Sequence, residues 1–135
     1  MKIEYESSPS IADTEFLTQK INEETLEFGS AYPFAFFIRE NGKIIAGANG
    51  SVVFGAIYTD QLWVHPDYRK KGFGEALMEH IETWGLENGC TLSTVSTMSF
   101  QGAKEFYEKL GFAVDFARAG YAHTSKIYYM SKNIS

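Results

Sequence analysis

Leu62-Trp63-Val64-His65-Pro66-Asp67-Tyr68-Arg69-Lys70-Lys71-Gly72-Phe73-Gly74-Glu75-Ala76-Leu77-Met78 begins as an apolar strand and breaks at Pro66. It then runs through a basic cluster and two glycines into a helix, signalled by Leu77, Met78, Ile81 and Trp84 at helical spacing. Such a junction suits phosphate. A helix start presents unpaired backbone N–H groups at the positive end of its dipole. Gly72 and Gly74 let that backbone approach an anion with no Cβ in the way, and Arg69 offers a charged, two-pronged donor.

Working outward, the helix closes at Asn88-Gly89, and the β-branched stretch Cys90–Thr97 follows as a fifth strand. A crossover helix makes it parallel to the fourth strand, Ala56–His65. Upstream, Phe34–Arg39 and Lys43–Phe54 read as strands joined by the hairpin signal Asn41-Gly42, with Gly47, Asn49 and Gly50 marking a bulge or an early break. Ala31-Tyr32-Pro33 reads as a loop. Before it, Ile11, Phe16, Leu17, Ile21, Leu26 and Phe28 outline a helix stopped by Gly29, and the alternating Lys2–Glu6 reads as a first strand. At the other end, Gln101–Leu110 is a short helix stopped by Gly111. Phe112–Ala117 and Lys126–Ser131 close the chain as two strands around a loop through Gly120 and His123. The expectation is one α/β domain over residues 1–135. Its mixed central sheet of about seven strands is flanked by helices.

The bulk composition narrows the function. The hydrophobic fraction is 44%, and eleven Phe, eight Tyr and two Trp supply large buried surfaces for a real core. A net charge of −5 argues against broad electrostatic binding to nucleic acid or an anionic membrane. It leaves room for a small anionic cofactor at the local Arg69-Lys70-Lys71 cluster and a cationic second substrate. The single cysteine, Cys90, excludes an internal disulfide and reads as a small buried hydrophobe. No signal core and no run of roughly 20 apolar residues is present, so a cytoplasmic location is expected. No His, Cys and Asp spacing supports a metal site.

Three phosphate loops compete for the junction. A Walker loop needs G-x-x-x-x-G-K-[ST], which is absent, and a dinucleotide fingerprint would need glycine where Leu77 stands. What remains is Arg69-x-x-Gly72-x-Gly74 after Leu62-x-Val64-x-Pro66, with Ala103-x-x-Phe106-Tyr107-Glu108-Lys109-Leu110-Gly111-Phe112 downstream. Together these resemble the two hallmark motifs of the GNAT superfamily of acyl-CoA-dependent N-acyltransferases. The order of elements from about Ile3 to Met130 suits that family as well.

The resemblance implies acetyl-CoA as co-substrate, entering where the fourth and fifth strands splay apart. Its pyrophosphate would lie on Arg69 and on the amides of Lys71, Gly72, Phe73 and Gly74, with Lys70 and Glu75 also among the cofactor-binding residues, and its pantetheine arm along Leu62, Trp63 and Val64. It further implies that Tyr107 protonates the departing thiolate, a role suited to a phenol, whose reference pKa is about 10. One departure stands out: many relatives carry Asn where this chain has Phe100, which leaves the arm's contacts to neighbouring Ser99 and Gln101. Exposed strand edges leave pairing into a homodimer open.

The acceptor side is read from the fourth strand. By alternation Tyr58, Asp60, Leu62 and Val64 share one face, and Thr59, Gln61, Trp63 and His65 the other. A primary amine is mostly ammonium at pH 7 and must lose a proton before it attacks. Asp60 is the strand's one acid and sits at its middle, where an unpaired charge would be costly. It serves either as base or as an anchor for the substrate cation. Tyr58 stands where some relatives carry a catalytic Glu, so that catalytic role does not transfer to it, and it is expected beside Asp60 as a residue that binds the acceptor. His123, Tyr32 and Glu27 are weaker candidates for the acceptor pocket, and His65 reads as a loop residue. The expected reaction is acetyl transfer to a primary amine of a small molecule or peptide by direct attack in a ternary complex. The alternative is a CoA-binding regulatory module with little or no transfer.

Overall fold

The computed structural model describes all 135 residues. Helix α1 (Ile11–Glu24) is capped by Ser10, whose hydroxyl accepts the Asp13 N–H at 3.0 Å. A short 3₁₀ turn, Leu26–Phe28, ends at Gly29, which takes φ 112°. Strands β1 (Ala31–Glu40) and β2 (Lys43–Val53) form the expected hairpin, with Asn41 and Gly42 both at positive φ. Next come β3 (Ala56–Val64), α2 (Phe73–Glu87), β4 (Leu92–Met98), α3 (Lys104–Lys109), β5 (Ala113–Ala119) and β6 (Lys126–Asn133).

The sheet has six strands in the order β1-β2-β3-β4-β6-β5, one fewer than the count of about seven read from the sequence. The missing strand is Lys2–Glu6. That segment alternates as a strand should, but it lies exposed and finds no partner. Ala31-Tyr32-Pro33 corrects the expectation in the other direction: it opens β1. The Asn22 side chain, reaching over from α1, accepts the Ala31 N–H at 2.8 Å and donates to the Ala31 carbonyl at 2.9 Å. Ala31 thus has its outward backbone groups satisfied, and Pro33, next on that edge, has no N–H to satisfy.

The core lies on one side of the sheet. Helix α2 buries Leu77, Met78 and Ile81; Met78 and Ile81 join Ile57, Val95 and Met130 in one core cluster, to which α3 adds Tyr107. Burying side chains of this size contributes roughly 1.5–3 kcal/mol each, which fixes α2 firmly on β3. The fit is close: a Cβ on Gly85 would lie 3.1 Å from Ile57 Cγ2. By contrast α1 has no buried residue, and Phe16, Leu17 and Ile21 are exposed. The packing therefore rigidifies the β3–α2 junction.

Two irregularities shape the far end of β3. Strands β3 and β4 pair in parallel only from Ala56 with Leu92 to Thr59 with Val95, and beyond that they splay. On the other side of β3, Gly50 pairs with Thr59 and Asn49 with Gln61, so Asp60 is an extra residue with no partner on β2. This bulge corrects the alternation. Ile57 packs on α2 before it, and Leu62 packs on the same core after it, which strict period two forbids. The bulge depends on Gly50, where a Cβ would sit 1.8 Å from the Tyr58 carbonyl oxygen.

Gly50→Ala should therefore destabilise the fold by about 1–3 kcal/mol or more, because the obstacle is backbone and cannot rotate away. A chemical denaturation midpoint indistinguishable from that of the parent would contradict this reading of the bulge.

Candidate active site

The splay opens a cleft of about 950 Å³ lined by β3 from Asp60 to Val64, the loop and first turn of α2, the end of β4 and the start of α3. Its β3 wall is polar along the backbone. His65 N–H bonds the Ile45 carbonyl at 2.7 Å, which places His65, Trp63 and Gln61 with their N–H groups toward β2. By alternation the N–H groups of Leu62 and Val64 point into the gap, where β4 no longer accepts them. The bulge is tied off by side chains: Gln61 N–H donates to Asn49 Oδ1 at 3.2 Å, and Asn49 Nδ2 donates to Gln61 Oε1 at 2.9 Å.

The floor is the basic, glycine-bearing loop between β3 and α2. Pro66–Tyr68 forms a 3₁₀ turn capped by His65, whose Nδ1 accepts the Asp67 N–H at 3.0 Å. Lys70 takes φ 61°, and Gly72, at φ 87°, caps α2. The first bond of α2 runs from Ala76 N–H to the Gly72 carbonyl, so no backbone N–H from Lys70 to Glu75 is consumed within the chain. Successive free donors at a helix start make an anion cradle.

Arg69 supports this cradle from below. Its Nε donates to the Val64 carbonyl at 2.8 Å, fastening the loop to the strand end while the terminal nitrogens remain available. The two glycines divide the labour expected of both. Gly72 supplies the left-handed backbone, whereas the space of the missing Gly74 side chain is taken by Phe106 of α3, 3.2 Å from where a Cβ would be. Lys71 lies over the Tyr68 ring at 5.7 Å, and Tyr68 in turn donates to Glu40 Oε2 at 2.6 Å.

Tyr107 forms the far wall. It is 6% exposed, with its ring edge-on to Phe112 and Phe106, and its hydroxyl has no partner within the chain. Burial, followed by the neighbouring Tyr58, pushes its phenol up to about 12. It therefore holds its proton at neutral pH and has a hydroxyl free to donate.

Asp60 lies at the inner end of the cleft, exposed on the bulge. The expectation that an acid here would be buried and costly does not hold, because the bulge turns it to solvent. Tyr58 donates to Asp60 Oδ1 at 3.2 Å and stands 3.2 Å from Ser96 Oγ on β4. Burial raises its phenol as well, offset in part by the Ser96 hydrogen bond. Gln101 also lines the cleft, its Oε1 accepting Met98 N–H at 2.8 Å and the Thr97 hydroxyl at 3.4 Å.

Other candidates are elsewhere. Ser99 is taken up in joining β4 to β6, its Oγ accepting the Lys126 N–H at 3.1 Å, and it does not line the cleft. Phe100 beside it is 71% exposed. His123, at φ 55° in the β5–β6 loop, and Glu27, in the 3₁₀ turn, are exposed outside the cleft. Tyr32 bonds Asn88 Oδ1 at 3.3 Å and meets Trp84 edge-on. It borders a separate groove of about 790 Å³ between α1 and β1, by the paired end of β3 rather than its splayed end. Sequence reasoning missed Gln61, Tyr68, Ser96, Thr97, Ala103 and Phe106 as cleft residues. Ser96 was recoverable in principle, since it is the first residue of β4 past the last β3 pair. No three His, Cys, Asp or Glu side chains are grouped to hold a metal ion.

Comparison with known proteins agrees with this geometry. Residues 2–112 match the model of the Acetyltransferase (GNAT) family. A curated relative, the ribosomal protein bS18-alanine N-acetyltransferase of Escherichia coli (strain K12), is 34% identical over 91 residues, 67% of this chain and 62% of that protein. The match thus spans under two thirds of the relative's length. Among solved structures, an acetyltransferase from Bacillus cereus ATCC 14579 has a TM-score of 0.73 at 23% identity, covering 96% of this chain and 97% of the other. The ribosomal-protein-S18-alanine N-acetyltransferase from Escherichia coli has a TM-score of 0.70 at 23% identity, covering 96% and 92%. At these identities the two structures establish the fold.

The buried phenol carries a stability consequence. With Tyr107 held to about 12 in the fold and about 10 when unfolded, the native chain binds the proton more tightly. Stability should therefore fall as pH rises from about 10 toward 12, by on the order of 2 kcal/mol. Tyr107→Phe should flatten that part of the profile in alkaline denaturation, and an unchanged slope would remove Tyr107 as its source.

Proposed function

The chain belongs to the GNAT acetyltransferase family, and from that premise we propose that it moves an acetyl group from acetyl-CoA to a primary amine. The observation that carries the reading is the continuity of one cleft from the free N–H groups of Lys70–Glu75, past Leu62 and Val64, to Asp60 and Tyr107. The pyrophosphate rests on the helix start and Arg69. The pantetheine arm runs along β3 as a substitute for the missing strand. Leu62 or Val64 N–H polarises the thioester carbonyl and holds the oxyanion.

Asp60 takes the ammonium proton, and the freed amine attacks the carbonyl directly. The tetrahedral intermediate then collapses as Tyr107 gives its proton to the departing thiolate, and the second proton on the acceptor nitrogen passes to the Tyr107 phenolate and restores the phenol. Much of the acceleration comes from holding both reactants in one gap. The acceptor is an amine on a small molecule or a peptide. That a relative 34% identical is named for a ribosomal protein alanine supports the peptide. The acidic body, at −5, favours a cationic acceptor over nucleic acid, and the reaction takes place in the cytoplasm.

The test is release of free CoA from acetyl-CoA across a panel of peptide and small-molecule amines. Tyr107→Phe should lower kcat by on the order of a hundredfold with acetyl-CoA affinity unchanged, and Asp60→Asn should also lower kcat. Tight acetyl-CoA binding with no thiol release for any amine would favour a CoA-binding module instead. Unchanged turnover in Tyr107→Phe would take that residue out of the reaction.

A further inference from the structure

Tyr58 is the one side chain that joins β3 to β4 across the point where they part. The last backbone pair is Thr59 with Val95, so Asp60 and Ser96 are the first residues on each side with no strand partner across the gap. The Tyr58 hydroxyl lies 3.2 Å from each of them. A phenol has a single proton, and an ionised carboxylate only accepts. Tyr58 must therefore donate to Asp60 Oδ1, which leaves Ser96 as the donor to Tyr58. The result is a directed chain, Ser96 O–H to Tyr58 Oη, then Tyr58 O–H to Asp60 Oδ1.

This chain solves a mechanical problem. Asp60 is the bulged residue, exposed and unpaired on β2, and nothing else in the structure bonds its carboxylate. A free carboxylate on a bulge samples several rotamers. Ser96, which bonds the Tyr58 hydroxyl, is itself held in the sheet, because it pairs with Tyr129 on β6 and Tyr129 stacks on Phe116 of β5 at 4.5 Å. This brace is thus anchored in three strands beyond the gap. With Oδ1 held by Tyr58, the second oxygen, Oδ2, remains free to meet an incoming ammonium.

We propose that Ser96 and Tyr58 are positioning residues that act through Asp60, a clasp across the split sheet that fixes one carboxylate oxygen and presents the other to the acceptor amine. The proposal rests on the acyl-transfer function and adds to it the two residues that make an exposed aspartate usable as a base.

The test is a set of variants assayed with one amine found active in the thiol-release panel. Tyr58→Phe keeps the ring and removes the hydroxyl, and Ser96→Ala removes the upstream donor. Each should lower kcat on the order of tenfold with the KM for acetyl-CoA unchanged, and Ser96→Thr, which restores a hydroxyl, should recover most of the loss. Because both act along one chain, Tyr58→Phe/Ser96→Ala should be no slower than Tyr58→Phe alone, and Tyr58→Phe should cost nothing further in an Asp60→Asn background. Multiplying losses, or full turnover in Tyr58→Phe with the parent protein active, would overturn the clasp while leaving acyl transfer standing. Absence of thiol release from the parent protein with every amine would overturn both.

Discussion

Strand β3 cannot keep its partners on both sides beyond Thr59, and the site depends on that failure. On the β2 side the ladder is preserved by inserting Asp60 as an extra residue opposite the Gly50–Asn49 step. On the β4 side the ladder is abandoned. Had β4 followed β3 to Val64, the N–H groups of Leu62 and Val64 would be consumed by a neighbouring strand and no cleft would exist. Unpaired backbone donors inside a fold are costly unless something accepts from them. In the proposed reaction a co-substrate arm with amide groups would meet that need, so the vacancy in the sheet and the shape of its proposed occupant would follow from one constraint.

The remainder of the molecule keeps this vacancy open and rigid. The core is concentrated where α2 and α3 cover one face, and Ile57, Met78 and Ile81 belong to the cluster that holds α2 against β3. Arg69 fastens the loop to the Val64 carbonyl, and Phe106 fills the space beside Gly74, so the anion cradle, the strand wall and Tyr107 are parts of one packed unit. Catalytic groups on such a unit lose little geometry between turnovers. By contrast α1, without a buried residue, is attached to the sheet edge largely through Asn22.

The two motifs around Arg69 and Tyr107 were legible in the sequence because each depends on local chemistry: a proline that ends a strand, glycines at a helix start, an aromatic pair on a short helix. The Asn41-Gly42 hairpin and the helix stop at Asn88-Gly89 were legible for the same reason, whereas the first helix ends earlier than its expected stop, at Glu24, and only a 3₁₀ turn runs on to Gly29. What local pattern could not supply was partnership. Lys2–Glu6 has the alternation of a strand and no neighbour, while Ala31–Pro33 lacks strand character and is made a strand by β2 and Asn22. Alternation along β3 was read as unbroken. Gly50 suggested a bulge but could not say that Asp60 would be the residue expelled, since that depends on the Tyr58 carbonyl pressing on Gly50. Ser96 carried no signal of its own, because its importance comes from standing opposite the gap.

The measurement that tests this account most directly is the footprint of acetyl-CoA on the backbone amides, by nitrogen–proton correlation spectroscopy of the labelled protein. A co-substrate lying in the split sheet should move the signals of Leu62, Val64 and the run from Lys70 to Glu75, and leave Asn22, Ala31 and Tyr32 in the α1–β1 groove where they were. Shifts centred on that groove, or no shift of Leu62 and Val64 at saturation, would contradict the claim that the vacancy between β3 and β4 is where the donor binds.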